Sequence, residues 1–428
     1  MVKKFLLLLW SCFILASCRI GNSVIAVSTI TPIPSLTSTV TPTITLTPTH
    51  TSTPTVSPDV MRYQCLEIAD YPPADHPLRG VIVYNDDNNL YAYLSNEETR
   101  EPFFFPREEG DRLFDFEVSP DGMHLIYDHY SVRTQEDRSI IVTAAGKPVW
   151  SEKINDYSWV WFDNERLKHG MITKNGEHTL VLLNPFNGER KNLPADFPSS
   201  EMYSENFFLA WFGASSPIYD PTLTRVVYGS GFHDSTNTIH PTITLWDTEA
   251  NQKVAEIDTW YWGDTPVWTP DGKQFLMAAN LDPRKTRDFA EEIFAISRDG
   301  DIKQLTHFLD YYKKADILDS YSLSPDGKLL AFWIFPEPSL HDGPQLAVLN
   351  IETGEVTNYC IKGSAFADNT YEDCAGPPIW SPDSTQLLVI SRPPEDTKVR
   401  RVVVVDILNN YAAKINADME PVGWMVSP

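Results

Sequence analysis

One phrase recurs along the chain and limits what it can fold into. FEVSPDGMHLIY begins at Phe116, PVWTPDGKQFLM at Pro266, YSLSPDGKLLAF at Tyr321 and PIWSPDSTQLLV at Pro378. Its centre is a turn. Pro presets φ, Asp hydrogen-bonds its own backbone, and Gly accepts a positive φ. A short apolar, β-rich run follows each turn: HLIYD, QFLMAA, LLAFW and QLLVIS. A second run comes next, as in SIIVTA, EIFAIS, QLAVLN and RVVVVD, and then a third, as in PVWSEK, IKQLT, VTNYC and AAKIN. The residues before the turn, as in TPVW and PPIW, supply one more strand. The unit is therefore four strands, a to d, with the turn between a and b.

The unit returns every 42 to 57 residues, as the positions of Asp121, Asp163, Asp220, Asp271, Asp326 and Asp383 show. Four-stranded repeats of this size predict an all-β fold, a single β-propeller. Each blade is apolar on both faces and needs neighbours, so the ring folds as one domain. Two units are degenerate: blade 3 has only Phe162-Asp163-Asn164 and blade 4 has Tyr219-Asp220-Pro221. Residues 80–106 read as b, c and d without an a strand, and the terminal PVGWMVSP reads as an a strand with nothing after it. Joined, they make one composite blade, so the two chain ends close the ring. Seven blades are expected, with six or eight left open by the degenerate units.

Trp-Ser-Pro-Asp-Gly followed by an aliphatic strand resembles the WD40-like (PD40) repeat of the TolB family and of the propeller domains of prolyl oligopeptidase-type peptidases. The resemblance covers about residues 79–428. It implies the fold firmly and the function poorly, because binding proteins and enzyme accessory domains share this repeat.

The first 78 residues are read differently. Lys3 and Lys4, an apolar run over Phe5–Leu15, and Leu15-Ala16-Ser17-Cys18 make a secretory signal. Cys18 after Leu-Ala-Ser resembles the lipobox of bacterial lipoproteins, which implies lipidation at Cys18. Residues 1–17 are then the signal peptide, 18–60 a Thr/Pro/Ser-rich stalk and 61–78 a lead-in to the propeller at 79–428. From Arg19 to Pro58 the stalk has no aromatic residue and, Arg19 apart, no Asp, Glu, Lys or Arg, so it cannot bury a core. The expected location is extracytoplasmic, at the cell surface or in the periplasm, with the lipid as the membrane contact. A formal net charge of −24 argues against a nucleic-acid partner. An exported chain keeps disulfides. Cys360 and Cys374 flank one loop and are expected to pair first, with Cys65 able to pair with either.

A catalytic motif is absent from the sequence. There is no G-x-S-x-G elbow, no HExxH, no phosphate-cradling glycine loop and no zinc-ligand spacing. The runs 85–89 (NDDNN) and 299–301 (DGD) read as plain turns rather than calcium loops, so neither a metal nor a cofactor is expected. Loop lengths are more informative. Strands in a blade alternate direction, so a–b and c–d turns share one face, and b–c and d–a connections share the other. Every long insertion falls in the second class, and insertions on one face mark a binding side. That face is expected to carry Trp260, Tyr261, Trp262, Tyr311, Tyr312 and His233, with the aromatics near the mouth of the central channel. Trp159, Trp268 and Trp380 are expected in the core. The expected role is a monomeric, non-catalytic platform for an envelope protein, peptide or glycan. The alternatives are a propeller-type glycan lyase or hydrolase, using scattered carboxylates such as Asp264, Asp316 and Asp373, or an accessory subunit of a peptidase.

Overall fold

The structure, a computed structural model, describes residues 61–426 without 76, 87–88, 94–99, 103–109, 155–157, 173–177, 195–216, 234–238, 259–265, 282–290, 311, 313–314, 318–320, 337–342, 364–375, 392–400 and 417–419. It is a seven-bladed β-propeller. Among the described residues there is no α-helix, only a 3-10 turn at Phe308–Asp310.

Blade 1 is the composite. Glu420–Met425 pairs with Val81–Asp86, followed by Asn89–Tyr93 and Arg100–Pro102. Blades 2 to 7 begin with the a strands Arg112–Val118, Val160–Trp161, Ile218–Tyr219, Val267–Trp268, Ser322–Leu323 and Ile379–Trp380. In each, b, c and d follow in antiparallel order, so a lies on the inner edge and d on the outer. The ring closes through Val81↔Met425, Ile82↔Trp424 and Val83↔Gly423.

The apolar residues sort into seven clusters among the described residues, one in each gap between consecutive blades. Strand alternation explains this: in blade 2, Leu125 and Tyr127 face blade 1, while Ile126 and Ile141 face blade 3. The gap between blades 7 and 1 is filled like the others, by Leu388, Val404, Ile82 and the fully buried Trp424. Inner strands are also tied to each other. The indole N–H of Trp161 donates to the Glu117 carbonyl, Trp268 to Ile218 and Trp380 to Ser322, at 3.0–3.3 Å, each to the preceding blade. Trp159, Trp268 and Trp380 are all buried, as expected. In blade 3, however, it is Trp161 that occupies the repeat position, while Trp159 lies just ahead of the strand.

The repeated turn carries its own hydrogen bonds. Ser119 Oγ donates to Asp121 Oδ1 at 2.6 Å, His124 N donates to Ser119 Oγ, and Gly122 N donates to Ser119 O. Thr269/Asp271, Ser324/Asp326 and Ser381/Asp383 repeat the side-chain bond at 2.7 Å. The degenerate turns do the same job with charge. In blade 4, Asp220 accepts from Arg225 N and Thr222 N, and Arg298 of blade 5 reaches it at 2.6 Å. Burial opposes the Asp220 charge, but hydrogen bonds from Thr222 and Arg298 hold its carboxyl below the usual range. In blade 3, Asp163 accepts from Arg166 N, and the Arg166 guanidinium donates onward to Pro221 O of blade 4.

The lead-in is not a passive linker. Arg62–Tyr63 runs parallel to the outer strand of blade 6, and Ile68–Ala69 runs parallel to the outer strand of blade 7. Cys65, between them, is bonded to Cys360. This corrects the expected Cys360–Cys374 pair: the Cys360 sulfur is already used, and Cys374 lies outside the described residues. The cause is a bulge in the d strand of blade 6. The register passes from Ala347↔Asn358 to Gln345↔Lys362, so Tyr359–Ile361 oppose Leu346 alone. Cys360 sits at its apex with φ 58° and its N–H on Asn358 Oδ1.

Candidate functional site

The strand order decides which connections share a face. The a–b turns are 119–123, 162–166, 220–224, 269–273, 324–328 and 381–385, all short. The b–c and d–a connections leave from the opposite face, and they include 195–217, 280–291, 363–378 and 392–400. Two segments read as loops are partly strand. The blade 4 hairpin stays paired out to His233↔Ile239, and the blade 2 hairpin out to Ser131↔Glu136.

His233 is the last residue of the b strand of blade 4, Arg225–His233. Trp260, Tyr261, Trp262 and Tyr311 lie outside the described residues, as do Cys18, Asp264 and Asp373. Asp316 pairs with Phe335 in a short strand, Ala315–Ile317, that extends blade 6 beside its a strand. Tyr312 is not at the channel mouth. Its hydroxyl meets Tyr63 Oη at 3.0 Å, on the lead-in at the outer rim, and its ring packs on the cluster between blades 5 and 6. The connection starts from an outer d strand, so its first residues belong to the rim. The 299–301 run is a turn, with Gly300 N donating to Ser297 O and Asp301 N to Ser297 Oγ. Asp86↔Asn89 is likewise the last pair of a hairpin. Among the described residues no three His, Cys, Asp or Glu side chains are grouped to hold a metal ion.

A polar cluster sits between blades 2 and 3, in the half of the blades nearer the long loops. Sequence reading passed over it, because its members are scattered and form no motif. The a strand of blade 2 bulges between Phe114 and Glu117, which leaves Asp115 exposed with φ 52°. Ser158, just ahead of the blade 3 a strand, donates its hydroxyl to Asp115 Oδ2 at 2.6 Å. Asp128, on the b strand of blade 2, is 1 % exposed and accepts from Ser139 Oγ at 2.6 Å. A hydroxyl has one proton, and that of Ser158 is committed to Asp115. Asp128 Oδ2 is accordingly left without a hydrogen-bond partner. Burial first, with Asp115 and Asp137 nearby, raises the Asp128 carboxyl above its ordinary range, against the easing effect of Ser139 and Ser158.

Glu117 is the third carboxylate of this gap. It stands two residues ahead of the turn, where blade 4 has Ile218 and blade 6 has Ser322. Its Oε2 accepts the backbone N–H of Trp161 at 2.8 Å, an N–H on the inner, open edge of the blade 3 strand. Burial pushes its carboxyl up to about 7, against the Trp161 hydrogen bond and the charge of Lys168. Burial likewise lowers Lys168, against Glu117. Chemically, the gap offers two carboxyl groups shielded from water, Asp128 and Glu117, near one exposed carboxyl, Asp115, that accepts the Ser158 hydroxyl. On the other side of blade 2, Asp111 Oδ2 meets His129 Nε2 at 3.0 Å and Asp111 Oδ1 accepts from Val132 N, which closes the b–c hairpin.

No family model and no curated protein sequence matches the chain. Solved structures do. TolB from Acinetobacter baumannii is 14 % identical over 74 % of this chain and 81 % of its own, with a TM-score of 0.37. The β-propeller domain of the Trilobed protease from Pyrococcus furiosus is 11 % identical over 85 % of this chain and 100 % of its own, with a TM-score of 0.45. An oligogalacturonate lyase solved with manganese is 11 % identical over 82 % of this chain and 86 % of its own, with a TM-score of 0.46. Each is a protein to which this chain is similar. The propeller assignment rests on the strand order given above.

Proposed function

We propose that this chain is an exported, lipid-anchored β-propeller that binds a protein, peptide or glycan of the cell envelope through its long-loop face, without catalysing a reaction. The observation that carries the reading is the asymmetry of the two faces. The short-turn face is built from repeated turns that satisfy their own hydrogen bonds, as in Ser119/Asp121 and Ser324/Asp326. The opposite face receives all the long connections. A rigid ring that confines its long connections to one side is suited to recognition there. Export is supported by the Lys3–Cys18 signal and by the Cys65–Cys360 disulfide, which persists in an oxidising compartment. The test is affinity capture from envelope material with the soluble chain from Arg19. Its control carries Trp260, Tyr261 and Trp262 changed to Ala and is checked to be folded. A partner retained by the first bait and lost by the second supports the reading; indifference to the triple change removes the face from it.

A second reading, a propeller-type lyase or hydrolase, is favoured by one observation, the Asp115–Ser158–Asp128 cluster with its shielded acid. Turnover of an acidic or neutral polysaccharide, lost in Asp128→Asn and in Asp115→Asn while both variants stay folded, would replace the binding reading. Turnover that survives both changes removes this cluster as its source.

A further inference from the structure

The lead-in over residues 61–70 is seated on the propeller as a bound peptide would be. Met61 is buried in the cluster between blades 5 and 6. Leu66 and Ile68 pack on the cluster between blades 6 and 7. The backbone adds a strand to two sheets in turn. Gln64 N donates to Asn358 O at 2.8 Å and Leu66 N to Tyr359 O at 3.2 Å. Farther along, Ile68↔Ala412 and Ala69↔Ala413 pair on blade 7, and Lys414 Nζ meets Asp70 Oδ1 at 2.6 Å. This is β-augmentation, with main-chain bonds for affinity and alternate side chains for selectivity. Each pairing is only two residues long, against the five register pairs that hold Glu420–Met425 to Val81–Asp86 in the closing blade. Between the two short pairings lies one covalent bond. Its Cys65 partner is exposed, and its Cys360 partner is half-buried at the apex of the bulge.

We propose that residues 61–70 are a releasable strap and that Cys65–Cys360 is its latch. The two strand edges beneath it form a docking site for an extended peptide with apolar residues placed like Met61, Leu66 and Ile68. Release is a thiol–disulfide exchange with a dithiol, of the kind carried by thiol–disulfide oxidoreductases. A thiolate of the dithiol attacks the exposed Cys65 sulfur, the S–S bond breaks, and Cys360 leaves as a thiolate and takes up a proton. The second thiol of the dithiol then attacks the mixed disulfide and frees Cys65 as a thiol. Two electrons pass to the cystine, and the dithiol becomes a disulfide. With the latch open, two short parallel pairings, the packing of Met61, Leu66 and Ile68 and the Lys414–Asp70 contact hold the strap, and such short elements belong to the low-stability end of a fold. The bared outer strands Val356–Lys362 and Tyr411–Asn416 then present unpaired edges, which attract extended chain. This site is separate from the long-loop face, so the inference stands or falls independently of the proposed function.

The test uses the full chain with Cys374→Ser, so that no other thiol of residues 61–428 can reshuffle onto Cys360. Amide hydrogen exchange is compared before and after dithiothreitol. The amides of Gln64, Leu66, Ile68 and the outer edges at 357–359 and 412–414 are expected to exchange at least tenfold faster once reduced. Those of the c strand Arg401–Asp406 are expected to accelerate less than the strap, through the lowered global stability alone. A second arm adds Cys65→Ser with Met61, Leu66 and Ile68 changed to Ser, which empties the site. A labelled synthetic peptide of residues 60–71 with Cys65→Ser is expected to bind this variant and not the oxidised parent. Strap exchange unchanged by reduction overturns the proposal. So does acceleration of all blades alike, which would make the bond a staple of the whole ring, and so does a peptide that ignores the emptied site.

Discussion

At Glu117 a carboxylate stands where neighbouring blades use Ile218 or Ser322, and its environment makes a prediction with a definite sign. Its folded carboxyl is pushed up to about 7, above the ordinary glutamate value of 4.5. The folded protein therefore holds this proton where the unfolded chain has lost it. Stability is highest below the unfolded value and falls as pH rises through the folded one. Glu117→Gln keeps an acceptor for Trp161 N–H and removes the charge. It is expected to flatten urea-denaturation stability between pH 5 and 8 and to stabilise at pH 8 by on the order of 1–2 kcal/mol, the half-buried site being partly screened. An unaltered pH slope would contradict the account. Two glycines separate backbone strain from crowding. Both have left-handed φ, 71° at Gly122 and 78° at Gly188. A Cβ on Gly122 would meet Pro382 Cγ at 2.5 Å and Trp424 O at 3.2 Å, whereas Gly188 has open space around it. Gly188→Ala is expected to cost about 1 kcal/mol, the conformational term alone, and Gly122→Ala about 3 kcal/mol. Equal losses in thermal unfolding would mean that the blade 1–2–7 contact gives way.

At the scale of strands and turns, the repeat made the blades legible. Every four-strand unit, including the degenerate ones, lies where its apolar runs placed it. Blade 4 could be found because Asp220 does the work of the turn serine, with Arg298 as its counter-ion. The strap was not legible. Residues 61–70 have no turn phrase and only a short alternation, because they borrow the blade's backbone rather than forming a hairpin of their own. Tyr312 was misplaced for the same reason: its partner, Tyr63, belongs to the strap. The disulfide was misassigned because short spacing in sequence favours Cys360–Cys374, whereas the bulge at Tyr359–Ile361 places Cys360 against Cys65. The consequence is energetic. A bond across a sequence separation of 295 constrains the unfolded chain far more than a local loop does. Cys65→Ser is expected to lower global stability by about 2–5 kcal/mol. A loss below 1 kcal/mol would show that the unfolded chain is little constrained by it.

At the scale of the whole molecule, the ring depends on a seam between its two ends. Trp424 is fully buried in the gap between blades 7 and 1, and its strand closes blade 1. Trp424→Ala is expected to destabilise by about 3–5 kcal/mol, more than the loss of a buried side chain from an edge strand. Urea unfolding should remain one transition, because each blade leans on its neighbours. The truncated phrase at each end made this seam readable from sequence. The polar gap between blades 2 and 3 was not readable, since Asp115, Asp128 and Ser158 meet only after the blades stack. The ring also separates two faces, and the central claim is that recognition belongs to one of them. The most direct measurement is capture of envelope partners by two sets of variants. One set changes Trp260, Tyr261 and Trp262, between the d strand of blade 4 and the a strand of blade 5, to Ala. The other changes Met123, Phe186 and Leu408, exposed on the short-turn side, to Ser. The account predicts that the first set loses the partner at least tenfold and the second keeps it. Loss with the second set, or with neither, would contradict it.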